Sequence, residues 1–155
     1  MRNFNESDKE KKQARIQMKE NPADLSEERL TQLVEKVKAS SQDRHLPCAK
    51  AHKIAQDANV PTIAVGEVAD RLGIRIINCQ IGCFKVEKII HDNVDQKKNT
   101  DDDIEIRLQK LSENGYLTCA DIFKLASQLK LTPMAIANVA NSQSIRIHIC
   151  QLGCF

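Results

Sequence analysis

Residues 54–65 read IAQDANVPTIAV, and residues 125–136 read LASQLKLTPMAI. In the first stretch Ile54 and Ala55 close an apolar stripe and Asn59 and Val60 supply a turn. Pro61 stands near the start of a following helix, where a missing N–H costs nothing, and Val65 anchors that helix. In the second stretch Leu125, Ala126, Leu131, Pro133 and Ile136 do the same work. The small Ala55 and Ala126 suit two helices that approach closely at a steep angle.

The two stretches stand 71 residues apart, and the offset extends in both directions. IRIINCQIGCF at 74–84 returns as IRIHICQLGCF at 145–155, and Cys48, Cys79 and Cys83 fall on Cys119, Cys150 and Cys154 without a gap. Ala49, Lys53, Ala64, Val68 and Ala69 also meet identical residues. Leu46–Phe84 and Leu117–Phe155 thus read as an internal duplication.

Each copy opens with an amphipathic helix. Ser26, Glu28 and Arg29 start one whose stripe is Leu30, Leu33, Val34 and Val37; its counterpart carries Ile104, Leu108 and Leu111. Short extended pieces follow around Leu46 and Leu117. A second helix then carries Ala51, Ile54, Ala55 and Ala58, or Ile122, Leu125, Ala126 and Leu129, the latter started by a capping box of Thr118 and Asp121. The third carries Val65, Val68, Ala69 and Leu72, or Ile136, Val139 and Ala140. After it the period changes to two. Ile145, Ile147 and Ile149 alternate with Arg146, His148 and Cys150, which predicts a half-buried strand with Cys150 facing away from the isoleucines. The first copy has room for a second strand, Phe84 to about Glu87. The second copy has only Cys154 and Phe155 after its turn, too few for a strand unless a partner chain completes the sheet.

Helix, short strand, helix, turn, helix, strand, turn, strand is the order of a winged helix, and the two quoted stretches resemble the helix-turn-helix at its centre. The ending CQLGCF is similar to that of a group of small bacterial proteins of unassigned role. The resemblance implies an α+β, mainly α, fold of two tandem winged-helix-like modules, each of three helices and a small β-hairpin. The expected organisation is a charged arm over 1–22, a first module over 23–90, a polar linker over 91–100 and a second module over 101–155.

In such proteins the helix after the turn enters the DNA major groove. Carried onto this chain, the outward positions are Thr62, Glu67, Asp70 and Arg71 in the first module, and Asn138, Asn141, Ser142 and Gln143 in the second. Asn and Gln can bond adenine through two hydrogen bonds, so the second set suits base reading. Glu67 and Asp70 would repel phosphate, which points the first module toward a protein partner. Arg75 and Arg146, at the strand starts, can hold phosphates. The candidate DNA contacts are therefore Arg71, Arg75, Asn138, Asn141, Gln143 and Arg146, for a transcriptional regulator of double-stranded DNA.

Charge neither forces nor forbids that role. The 23 basic and 21 acidic residues leave a formal +2, so long-range attraction to DNA is modest. The single Tyr, four Phe and absent Trp leave no aromatic platform for stacking single-stranded bases. No apolar run approaches the roughly 20 residues of a membrane span, and the N-terminus carries no hydrophobic signal segment, so a cytoplasmic protein without a membrane partner is expected.

The cysteines leave three readings open. Cys79-x3-Cys83 and Cys150-x3-Cys154 set thiols across turns containing Gly82 and Gly153, while Cys48 and Cys119 sit at helix starts, where unpaired N–H groups favour thiolates. If the three thiols of a copy converge, they can bind zinc or an iron–sulfur cluster, with His148 as a fourth ligand in the second copy alone. They can instead respond to oxidants, or simply pack beside Phe84 and Phe155. A protein-interaction or metal- and redox-sensing module, with a protein partner or a second copy of the chain, is therefore the alternative to a DNA-binding regulator. His45, His52 and His91 read as surface residues, and Asp101–Asp103 as a solvated helix start. No phosphate loop, Ser/His/Asp order or paired acids suggests an enzyme.

Overall fold

The computed structural model describes residues 10, 21, 23–83, 101–112 and 116–154. These residues form a mainly helical α+β protein of six helices and four short strands. The arm before Asn21 (save Glu10), the linker 91–100, His91, Phe84 and Phe155 lie outside them, as does the second strand expected after Phe84. Contacts divide the chain into two compact units, one of residues 1–79 with 151–155 and the other of residues 80–150. The boundaries thus fall inside the two CQ(I/L)GCF phrases and not in the linker.

The first unit runs α1 (Glu27–Ser40), β1 (His45–Pro47), α2 (Cys48–Asp57), α3 (Thr62–Arg71) and β2 (Arg75–Ile77). Ser26 caps α1 by accepting from the Arg29 backbone N–H, and the expected stripe buries Leu33 and Val37. Arg29 reaches the end of α2, where its guanidinium donates to the carbonyls of Ala58 (3.2 Å) and Asn59 (2.9 Å). A cation there offsets the unsatisfied carbonyls of a helix C-terminus. Ala51, Ile54 and Ala55 of α2 are buried and pack toward α3 and β1.

The second unit runs α4 (Asp101–Leu111), β3 (Leu117–Thr118), α5 (Cys119–Leu129), α6 (Pro133–Ser142) and β4 (Ile147–His148). Ile104 and Leu108 of α4 are buried, whereas Leu111 is exposed. The capping box is present. Thr118 Oγ1 accepts from the Asp121 N–H at 3.2 Å, and Asp121 Oδ2 accepts from the Thr118 N–H at 2.9 Å.

In each unit the short strand pairs with the strand after the third helix, but the pairing is parallel: Leu46 lies opposite Ile76, and Leu117 opposite Ile147. No β-hairpin is formed among the described residues.

The helix ends share one local geometry. α2, α3, α5 and α6 each stop at a residue in the left-handed region: Asn59 (φ 49°), Gly73 (φ 64°), Lys130 (φ 55°) and Ser144 (φ 58°). The following N–H then bonds back: Val60 to Ala55 O (3.0 Å), Ile74 to Ala69 O (2.8 Å), Leu131 to Ala126 O (2.9 Å) and Ile145 to Ala140 O (2.9 Å). Left-handed backbone also recurs at Asn78 and Ile149, and at Gly82 and Gly153. Each of these positions has its counterpart 71 residues on.

Candidate functional site

α3 does not present all the outward positions expected of it. Six consecutive residues, Ala64–Ala69, are buried, so the helix is covered nearly all round. Glu67 is 6% exposed, and its Oε1 accepts from Arg71 Nε in a short ion pair. It is therefore no outward residue facing phosphate. Its other oxygen, Oε2, is buried and lacks a hydrogen-bond partner among the described residues. Thr62 and Asp70 are half-buried and Arg71 is exposed. Arg75 is half-buried and is tied in at the start of β2, where its N–H bonds to the Arg44 carbonyl at 2.8 Å.

Part of this cover is the end of the chain. A Cβ at Gly66 would lie 1.9 Å from the backbone oxygen of Leu152, whose side chain is fully buried in the same unit. Glycine in a helix interior costs about 1 kcal/mol relative to alanine, and here close backbone approach requires it.

α6 in the second unit is different. It starts at Thr132, whose hydroxyl accepts from the Ala135 N–H at 3.2 Å, with Pro133 in the first turn. Ile136, Ala137, Val139 and Ala140 are buried, while Asn138, Asn141, Ser142 and Gln143 are all exposed, as expected. The turn 80–83 belongs to this unit. Ile81 is 1% exposed, and Gly82 abuts Met134, whose Sδ would lie 3.1 Å from an added Cβ.

Past Ser144 the chain enters β4 and forms an open pocket of about 450 Å³ lined by Cys83, Asn141, Ser144, Ile145, Arg146, Ile147 and His148. Two of the candidate DNA contacts, Asn141 and Arg146, therefore share a pocket with one of the candidate metal ligands, Cys83. The ring of His148 is held edge-on to Tyr116, with centroids 5.6 Å apart. Backbone bonds from Leu117 N–H to Arg146 O (3.2 Å) and from Cys119 N–H to Ile149 O (3.3 Å) fix this wall.

The strand alternation breaks at Ile149. Its φ of 56° turns it out to 59% exposure and sends Cys150 inward to 7%, so Cys150 does not share a face with Arg146 and His148. The thiols are also grouped otherwise than expected. Cys48, Cys79 and Cys154 belong to the first unit, and Cys83, Cys119 and Cys150 to the second, so the cysteines of each copy are divided between the two units. Cys48, Cys79, Cys119 and Cys150 are buried, Cys154 is half-buried and Cys83 is exposed. Among the described residues no three His, Cys, Asp or Glu side chains gather as a metal site. His45 and His52 are half-buried, not surface residues.

Sequence reasoning singled out Asn141, Arg146, Cys83 and His148 separately and did not join them. Gly66, an isolated glycine within a helical pattern, was the readable sign of a close backbone approach. Among the described residues no helix is long and apolar enough to cross a membrane. Comparison with protein-family models, curated proteins and solved structures gives no match.

Proposed function

We propose that the chain is a DNA-binding regulator of two winged-helix-like modules derived by duplication, in which the second unit reads the duplex. The observation that carries this reading is the outward face of α6. Asn138 and Asn141 on the helix are exposed, as is Gln143 just past its end, and Asn141 shares a pocket with Arg146, which combines side chains able to bond base edges with a cation for phosphate. The matched element order and the left-handed positions recurring 71 residues apart support the duplicated architecture. α3, occupied by its own ion pair and by Leu152, does not offer a comparable face, and the first unit serves as scaffold or protein contact.

The test is fluorescence anisotropy of the full chain with a labelled duplex pool at rising salt, followed by selection of preferred sequences. Binding that weakens gently with salt is expected, because each phosphate contact contributes a slope of about −0.9 and few cations flank α6. Absence of any complex at low salt with every duplex would remove the reading.

A further inference from the structure

The pocket beside α6 combines a nucleophile with groups that recognise anions. Cys83 is exposed at its wall, with Arg146, His148, Asn141 and Ser144 as polar partners and Ile145 and Ile147 as apolar walls. The volume, about 450 Å³, suits a small organic molecule and not a single ion. Such a combination fits a ligand with an electrophilic sulfur, an apolar body and a carboxylate.

We propose that Cys83 is a thiol-exchange site for low-molecular-weight disulfides that bear carboxylates, with Arg146 holding the carboxylate and Cys83 attacking the disulfide. In the step, the Cys83 thiolate sulfur forms a new S–S bond to one sulfur of the disulfide, and the original S–S bond breaks. The second sulfur leaves as a thiolate with the bonding electron pair. The Cys83 proton passes to solvent, Cys83 is oxidised to a mixed disulfide, and the departing thiol is the reduced product.

The position 71 residues on provides an internal comparison. Cys154 is less exposed than Cys83, and the residues that correspond to Asn141, Ser144 and His148 are Asp70, Gly73 and Ile77. The first unit therefore lacks the hydroxyl and imidazole and has a carboxylate where the second has an amide. The other four thiols are buried and serve as slow-reacting controls.

The experiment treats the reduced full chain with two aromatic disulfides, one carrying carboxylates and the other the neutral dipyridyl disulfide, and locates the adducts by peptide mass spectrometry over time. Cys83 should be modified first by both probes. Arg146→Ala should lower the ratio of anionic to neutral rates about fivefold, the effect of one nearby charge in water, and Arg146→Lys should restore most of it. In the unaltered chain, added salt should slow the anionic probe alone. Modification of Cys154 as fast as Cys83, or an anionic-to-neutral ratio indifferent to both Arg146 and salt, would overturn the proposal.

Because Asn141 and Arg146 are shared, the adduct should also weaken duplex binding. That consequence rests on the DNA reading. The reaction rates are measured without DNA, so failure of DNA binding leaves the thiol-exchange result standing, and the reverse holds too.

Discussion

The backbone carbonyl of Leu152 rests on the Cα side of Gly66, so close that a Cβ at position 66 would stand 1.9 Å from the oxygen. Real Cβ atoms do not approach a carbonyl oxygen so closely, and neither group is the flexible end of a side chain. The contact makes the end of the chain part of the first unit's core. The corresponding helix position in α6 is Ala137, a residue with a Cβ, so the two third helices are covered in different ways.

Gly66→Ala is expected to destabilise the first unit by about 1–3 kcal/mol despite the better helix propensity of alanine, because the backbone must shift to admit the methyl group. Chemical denaturation measures the loss. Faster carboxypeptidase release of the last residues would show that the 151–155 segment has left its place. A gain in stability would mean that Leu152 moves aside at little cost.

Ile149→Asn should stabilise the second unit by about 1 kcal/mol. A β-branched residue in the left-handed region is strained, and asparagine, which tolerates it, stands at the matching position 78 with φ 51°. Ile149 is already 59% exposed, so little burial is lost. A rise in the thermal midpoint without change in the circular dichroism spectrum checks it.

The Glu67 and Arg71 pair should respond asymmetrically. Arg71→Ala leaves a carboxylate that is 6% exposed without its cation, and should cost about 1–3 kcal/mol. Glu67→Leu leaves an exposed arginine that water can solvate, and should cost less. Denaturant midpoints of the two variants and of the double variant give the comparison; equal costs would show that the carboxylate finds another partner.

For duplex binding, Asn141→Ala and Arg146→Ala should differ in kind. The first should lose about 1–3 kcal/mol of discrimination at one base position with an unchanged salt slope. The second should weaken binding to all sequences alike and reduce the slope by about one. Anisotropy with selected and mismatched duplexes at three salt concentrations separates the two; identical behaviour would argue against base reading by Asn141.

Much of the local structure was legible. The caps at Ser26 and Thr118, the buried stripes of α1, α2 and α5, and the exposed amides of α6 follow from periodicities and side-chain chemistry that operate over a few residues. Glu67 was not legible. Its place on the helix looked outward by spacing, and only the cover on α3 buries it. Ile149 misled for a related reason, since alternation assumes that extended backbone continues and one left-handed residue inverts every side chain after it. The parallel strand pairing likewise depends on where distant segments meet.

The sequence alone determined the 71-residue repeat, the helices and the residue types available to each face, because near-identical local sequences impose near-identical local preferences. It could not assign the two CQ(I/L)GCF turns to their places. The phrases are so alike that either satisfies either unit's local chemistry, so pattern reading has no basis for choosing. Tertiary packing decided it, through the fit of Leu152 against a glycine and of Gly82 against Met134, and with that choice it brought Cys83 into the pocket of Asn141 and Arg146.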